Sequence, residues 1–179
     1  MSKKVLVISS SPRKGGNSDI LCDEFAKGAG ESGHEVEKVF LKDYRIHYCS
    51  GCGYCVGNKG ACSEKDDMEV IQEKMICADV IVFATPIYFY TMSGQMKTFI
   101  DRNCSFYTLL RNKEFYYIMT AADSDKAAME RTLTEFGGYI CCLDGAVEKG
   151  TVFGIGAWEK GDIRSKSSMK EAFDLGKMV

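Results

Sequence analysis

Four cysteines fall within a short stretch at a spacing of Cys49-x2-Cys52-x2-Cys55-x6-Cys62. Three thiolates on one tight turn can meet one face of a cubane iron-sulfur cluster while the fourth closes it. The spacing is compact for zinc, whose structural sites more often join two separated C-x2-C pairs. Ordinary thiols in a loop satisfy it equally, so cluster, zinc and free thiol stay open. A second group of chemistry-bearing residues is Ser9-Ser10-Ser11-Pro12-Arg13-Lys14-Gly15-Gly16-Asn17-Ser18. Three consecutive hydroxyls, an arginine and two glycines precede Asn17 and Ser18, which open a predicted helix. The unpaired N–H groups and dipole of such a helix favour an anion. These are phosphate-binding parts, although Ser, Gly and Asn also build plain turns and caps. Neither the Walker pattern nor the spaced-glycine dinucleotide fingerprint is present.

A third stretch, Pro86-Ile87-Tyr88-Phe89-Tyr90-Thr91-Met92-Ser93-Gly94, is a proline-anchored aromatic loop. It can wall a flat ring system and offer backbone groups to that ring's polar edge, or it can pack in the core or at a subunit contact. His34 and His47 have no carboxylate or nucleophile at a telling spacing and read as structural or surface residues. Asp66-Asp67 reads as a helix cap. Lys97 and Arg102 suit either a nucleotide phosphate or a solvated helix face. Cys22, Cys77, Cys104, Cys141 and Cys142 fall in or beside predicted helices and strands, where a buried, inert thiol is the ordinary role.

The elements that must position these residues alternate. Lys4 to Ser9 is a β-branched apolar run, and a helix begins at Asp19 with Asn17 or Ser18 as its cap and Gly33 at its end. A strand over Glu35 to Leu41, a helix over Asp67 to Cys77 and a buried strand over Asp79 to Thr85 follow. Then come a helix from about Gly94 to Phe106, a strand over Phe115 to Thr120, a helix over Ser124 to Phe136, a strand over Thr151 to Ile155 and a helix over Ser167 to Lys177. Strands alternating with helices imply a parallel, doubly wound sheet covered on both faces. In such sheets ligands bind outside the carboxyl ends of the strands where the winding reverses, which is where the serine-rich and aromatic loops fall.

With 179 residues, 45% hydrophobic and 27% charged, the chain is expected to form one globular domain over residues 1–179. A net charge of -2 gives no general attraction to nucleic acid or an anionic membrane. No run approaches the roughly 18 apolar residues of a membrane span, and Val5 to Ile8 is too short for a signal core. A cytoplasmic location follows as an expectation. Nine cysteines, an odd number with four crowded together, suggest metal or redox chemistry in a reducing compartment more than a disulfide framework.

Ser10 to Ser18, the cysteine run through Cys62 to Asp66-Asp67-Met68, Thr85-Pro86-Ile87-Tyr88-Phe89, Met96-Lys97 and Phe99-Ile100-Asp101-Arg102 together resemble the NADPH-dependent FMN reductase family, including its iron-sulfur flavoprotein branch. The likeness covers roughly the first 105 residues. It implies a flavodoxin-like α/β fold with five parallel strands in the order 2-1-3-4-5 and noncovalently bound FMN. Electrons would pass from NADH or NADPH to a quinone, flavin, oxygen or iron-sulfur acceptor, in homodimers or homotetramers with flavin sites near subunit contacts. A non-enzymatic electron carrier and a redox sensor are the alternatives. Carried onto this sequence, Ser9, Ser11, Arg13, Asn17, Ser18 and Asp19 would surround the phosphate, and Pro86, Ile87, Tyr88 and Phe89 would meet the flavin ring. Thr120, Ala121 and Ala122 would form a third loop, though Ala121-Ala122-Asp123 stand where glycines are expected. In the iron-sulfur branch Cys49, Cys52, Cys55 and Cys62 would hold a [4Fe-4S] cluster.

Overall fold

The structure, a computed structural model, describes Met1–Val179. Its strands are β1 (Lys4–Ser9), β2 (Glu35–Phe40), β3 (Val80–Tyr88), β4 (Thr91–Met92), β5 (Glu114–Thr120) and β6 (Val147–Gly154). Its helices are α1 (Asn17–Glu31), α2 (Tyr54–Gly57), α3 (Met68–Cys77), α4 (Gly94–Arg102), α5 (Ala127–Ile140) and α6 (Ser168–Lys177). Five strands form a parallel sheet in the order β2-β1-β3-β5-β6, and β4 folds back antiparallel on the end of β3. With that short strand set aside, this is the flavodoxin-like order expected from the sequence.

The central strands are apolar on both faces because both are covered. In β3, Val80, Val82 and Ala84 face α1 and α6, while Ile81 and Phe83 face α3, α4 and α5. Phe83 sits among Phe99, Phe115, Phe136 and Tyr139, with ring centroids 5.5 to 5.9 Å apart. Truncating such a ring to alanine costs about 3–5 kcal/mol. On the other face α1 and α6 touch backbone to backbone. A Cβ on Gly28 would lie 2.1 Å from the Phe173 carbonyl oxygen, and one on Gly176 equally close to that of Phe25.

Several boundaries differ from the sequence expectation: α5 spans Ala127–Ile140 where Ser124 to Phe136 was expected, and β3 runs on past Thr85 to Tyr88. Helix α1 begins after Gly16, so Asn17 and Ser18 lie in its first turn instead of capping it. Strand β6 starts at Val147, four residues early, because it is an edge strand whose first residues are solvated. Helix α4 stops at Arg102 and continues as tight turns over Asn103–Ser105 and Tyr107–Leu109. The aromatic loop is a hairpin: Tyr88 pairs with Thr91 across Phe89 and Tyr90, at φ of 52° and 65°. Both central residues are left-handed, as a tight hairpin turn of this twist demands. For bulky side chains that is a strained conformation.

Winding reverses between β1 and β3, since β2 lies on one side of that pair and β5 and β6 on the other. The loops after β1 and β3 therefore flank one crevice at the carboxyl edge of the sheet. No helix is long and apolar enough to cross a membrane.

Candidate functional site

A cavity of about 450 Å³ opens at that crevice, within the range that holds cofactor-sized ligands. Its floor is the loop after β1. Ser10 is turned inward, where its hydroxyl donates to the Ala84 carbonyl (2.9 Å) and accepts from Ser93 Oγ (2.9 Å). Ser93 in turn donates its N–H to Thr85 Oγ1 (2.9 Å) and caps α4 at Met96. This buried network fixes the ends of β1 and β3 and the start of α4 against one another.

Ser11 Oγ donates to the Arg13 carbonyl (2.9 Å), which also accepts the Gly16 N–H (2.9 Å). Nothing larger than glycine fits at 16, where a Cβ would lie 2.8 Å from both Arg13 O and Ser11 Oγ. Asp19 is buried and directed away from the cavity: it accepts the Gly15 N–H (2.7 Å) and the Lys38 ammonium (2.9 Å). Asn17 uses its whole amide as a clasp. It donates to the carbonyls of Ala157 (3.0 Å) and Glu159 (2.9 Å) and accepts from the N–H of Gly161 (2.9 Å).

What remains available is specific. The Ser18 hydroxyl is buried with no hydrogen-bond partner and lines the cavity. The first-turn N–H groups of α1 have no carbonyl behind them. Arg13 lines the mouth unpaired, whereas Lys14 is drawn off to Asp43 at 2.7 Å. The Lys160 side chain lies over the loop, its Cε 3.2 Å from where a Cβ on Gly15 would stand. These groups can hold a phosphate. Pro86, Ile87, Tyr88 and Trp158 supply apolar wall for a ring, and Thr120 and Ala122 close the side beyond β5.

Of the residues singled out by sequence, the cavity gathers Ser11, Arg13, Asn17, Ser18, Pro86, Ile87, Tyr88 and Thr120. It does not reach four others. Ser9 is sealed in the core beside the Cys22 thiol, and Asp19 braces the loop from behind. Phe89 stands almost wholly in solvent at the hairpin tip. Ala121 is buried, joined through its backbone to Gly154 and Ala157, while Ala122, expected in the same loop, lines the cavity. Ala157, Trp158, Glu159 and Lys160 were missed. They follow the last strand of the sheet, and the same carboxyl-edge rule that singled out the first and third loops applied to them.

The cysteine run lies in the segment between β2 and α3 and contributes no residue to this cavity. Its ends are fastened where the Arg45 N–H donates to Asp67 Oδ2 (2.7 Å) and the His47 N–H to Asp66 Oδ2 (2.8 Å). Arg102 is buried and not solvated: its guanidinium grips Asp66 at 2.6 and 3.1 Å, the His47 carbonyl at 2.8 Å and Cys62 Sγ at 3.5 Å. Burial opposes charge on Asp66. The hydrogen bonds from Arg102 and from the N–H groups of His47 and Met68 outweigh it and hold the carboxyl below its usual range. Of the Asp66-Asp67 pair expected to cap α3, Asp66 accepts the Met68 N–H and also anchors Arg102, whereas Asp67, at the N-cap position, makes no side-chain cap and holds Arg45. Lys97 forms a surface pair with Asp101.

Cys49, Cys52, Cys55 and Cys62 line one cavity of about 150 Å³ that shares no residue with the larger one. No three of these sulfurs, with or without a neighbouring imidazole or carboxylate, converge where a single metal ion would sit. A polynuclear cluster keeps its thiolates apart at its corners, and a wall of thiols suits iron and sulfide. Cys104 also lines this cavity. Among the remaining cysteines only Cys22 is buried; Cys77, Cys104, Cys141 and Cys142 are exposed, because each falls on a helix end or the turn after one. Partial burial, then the Cys55 and Cys49 sulfurs, raises the Cys104 thiol above its ordinary value.

Comparison with known proteins gives this geometry a context. The family profile described as NADPH-dependent FMN reductase matches residues 3–160. An iron-sulfur flavoprotein of Archaeoglobus fulgidus is 42% identical over 99 residues, covering 55% of this chain and 44% of its own length. One from Methanosarcina thermophila is 38% identical over 112 residues, covering 63% of this chain and 56% of its own. The chain thus spans about half the length of these relatives. The solved structure of an NAD(P)H:quinone oxidoreductase from Methanothermobacter marburgensis superposes with a TM-score of 0.79 over 99% of this chain and 96% of that one; at 15% identity it shows the shared fold.

Proposed function

Because the chain belongs to the NADPH-dependent FMN reductase family, we propose that it is an FMN-dependent oxidoreductase taking electrons from NADH or NADPH and passing them to a quinone, flavin, oxygen or iron-sulfur acceptor. The observation that carries this reading is the crevice cavity with its one unpartnered, buried hydroxyl, Ser18 Oγ, at the start of α1. An orphaned hydroxyl costs free energy unless a ligand completes it, and a phosphate there would also meet the helix N–H groups and Arg13.

FMN, when bound, supplies the hydride acceptor. The chain's own residues position it: Arg13, Ser18 and the first turn of α1 would hold the phosphate, Ser11 would shape the loop around it through the Arg13 carbonyl, and Pro86, Ile87, Tyr88 and Trp158 would flank the ring. A hydride carries its electron pair with it, so no side chain is needed as acid or base in that step. The exposed hairpin tip, with Phe89 and Tyr90 outward beside the cavity mouth, suits a subunit contact in a homodimer or homotetramer. Cytoplasmic residence belongs to the same reading, since all nine cysteines are free thiols.

The test is anaerobic addition of NADH or NADPH to the FMN-loaded protein. Prompt bleaching of the flavin bands is expected, and a flavin that stays oxidised would overturn the enzymatic reading. A second reading, an electron carrier of iron-sulfur flavoprotein type, draws support from the sulfur-lined cavity, where Cys49, Cys52, Cys55 and Cys62 would ligate a [4Fe-4S] cluster. About four irons and matching acid-labile sulfide per chain would favour it.

A further inference from the structure

The cysteine cavity has five thiols where the sequence motif accounts for four. The fifth, Cys104, comes from the turn after α4, 42 residues beyond Cys62. This turn is a fixed base. The neighbouring Asn103 is buried and donates to the Tyr139 hydroxyl (2.8 Å), and Arg102 is locked to Asp66. The cysteine loop is seated directly on it. At Gly60, where φ is +84°, a Cβ would lie 2.4 Å from the Ser105 carbonyl oxygen, so the two backbones touch. The Gly60 N–H donates to the Cys55 carbonyl (3.0 Å), which ties Cys55 to that contact point. Cys55 and Cys104 accordingly line the same cavity, one from the loop and the other from the turn beneath it.

We propose that Cys104 is a redox partner of the cysteine loop, forming a disulfide with Cys55 when a peroxide meets a chain that holds no iron there. The Cys55 sulfur attacks one peroxide oxygen, the O–O bond breaks, and a sulfenic acid and one water form. The Cys104 sulfur then displaces the hydroxyl from that sulfenic acid, the S–S bond closes, and a second water leaves with the remaining thiol proton. Two thiols are oxidised and one hydrogen peroxide is reduced to two waters. The bond adds a covalent tie in the middle of a loop whose polar anchors lie at its ends, and its partner is the one thiol of the cavity that does not belong to the loop. The inference does not rest on the flavin reading.

The full-length protein is treated with a chelator until iron is undetectable, then with hydrogen peroxide, and free thiols are blocked with N-ethylmaleimide. Trypsin and chymotrypsin cut after Tyr54 and Lys59 on one side and after Arg102 on the other, which separates Cys55 from Cys49 and Cys52 and isolates Cys104. Mass spectrometry should find the Cys55 and Cys104 peptides cross-linked, two hydrogens lighter than their sum and released by dithiothreitol. C55S and C104S should each abolish the cross-link, and C104S should leave the flavin spectrum as in the parent. Recovery of Cys104 as its maleimide adduct while loop cysteines pair among themselves would overturn the proposal. So would its capture by Cys142, which lines an adjoining cavity with it.

Discussion

The crevice loop and the cysteine loop are both secured by buried polar contacts, yet they stand at different stages of completion. In the crevice loop Ser10, Ser11, Asn17 and Asp19 are all tied to other parts of the protein. Only Ser18 Oγ, Arg13 and the helix N–H groups are left for a ligand. A ligand arriving there meets a finished cavity and has little ordering to do. In the cysteine loop the reverse holds. Two carboxylates and one guanidinium pin its ends, while Tyr48 to Gly53 is exposed throughout and the sulfurs converge on no point. A cluster would have to gather its own ligands, and its binding would be coupled to ordering of the loop. The two cavities also share no lining residue, so one can be altered with the other as internal control.

The largest separation is expected from Arg102→Met. Asp66 would be left buried without its counter-ion, which costs about 3–5 kcal/mol and frees the Cys62 end of the loop. A lowered denaturation midpoint and faster proteolysis after Lys59 should accompany unchanged FMN affinity, measured by fluorescence quenching. Loss of FMN affinity in a folded variant would show that the two regions are not independent. Asn17→Ala strikes the opposite region. It strips partners from the buried Ala157 carbonyl and from the Gly161 N–H, for about 2–3 kcal/mol. By releasing the loop that carries Trp158 it should weaken FMN binding at least tenfold, while the alkylation rates of the cysteine-loop thiols stay at those of the parent.

The same contrast explains what could be read from the sequence. Strands β1, β3 and β5 were legible because each is a β-branched or aromatic run buried on both faces. The serine-rich loop was legible because turn and cap chemistry is local. Long-range pairing was not. Asn17 closes on residues 140 and more positions away, and Arg102 on an aspartate 36 positions before it. A phosphate ligand was therefore expected at Asn17 where a clasp is found, and a solvated charge at Arg102 where a buried anchor is found. The hairpin after β3 went unseen because Phe89-Tyr90 carries none of the Asn or Gly that normally announces a left-handed pair. The exposed thiols at helix ends were hidden by the general rule that cysteine is buried.

Ser18→Ala tests whether the crevice is unfinished only where a ligand belongs. Removing a buried hydroxyl that has no partner should leave the apo protein as stable as the parent, or more stable by up to about 1 kcal/mol. A hydrogen bond to a charged phosphate is worth about 1.5–3 kcal/mol, so FMN affinity should fall roughly ten- to hundredfold. Opposite signs in stability and affinity are the signature sought. A fall in both would mean that the hydroxyl serves the fold.

The smallest effect is expected from pH, and it is confined to the cysteine loop. The carboxyl of Asp66 titrates below its unfolded value of about 3.9. Its charged form therefore stabilises the fold fully above that value, and the contribution is lost as pH falls through the lower folded one. The N–H groups of His47 and Met68 bond different oxygens of Asp66; protonation leaves one oxygen a full acceptor, so one of the two contacts persists and the loop should loosen less than in Arg102→Met. Hydrogen exchange of the His47 amide should accelerate, relative to its intrinsic rate, only below about pH 4, whereas the Gly16 amide, paired with a carbonyl and with no carboxylate, should show no such step. If both amides lose protection together, the acid response is global unfolding, and Asp66 is not the separate anchor that its contacts with Arg102 make it.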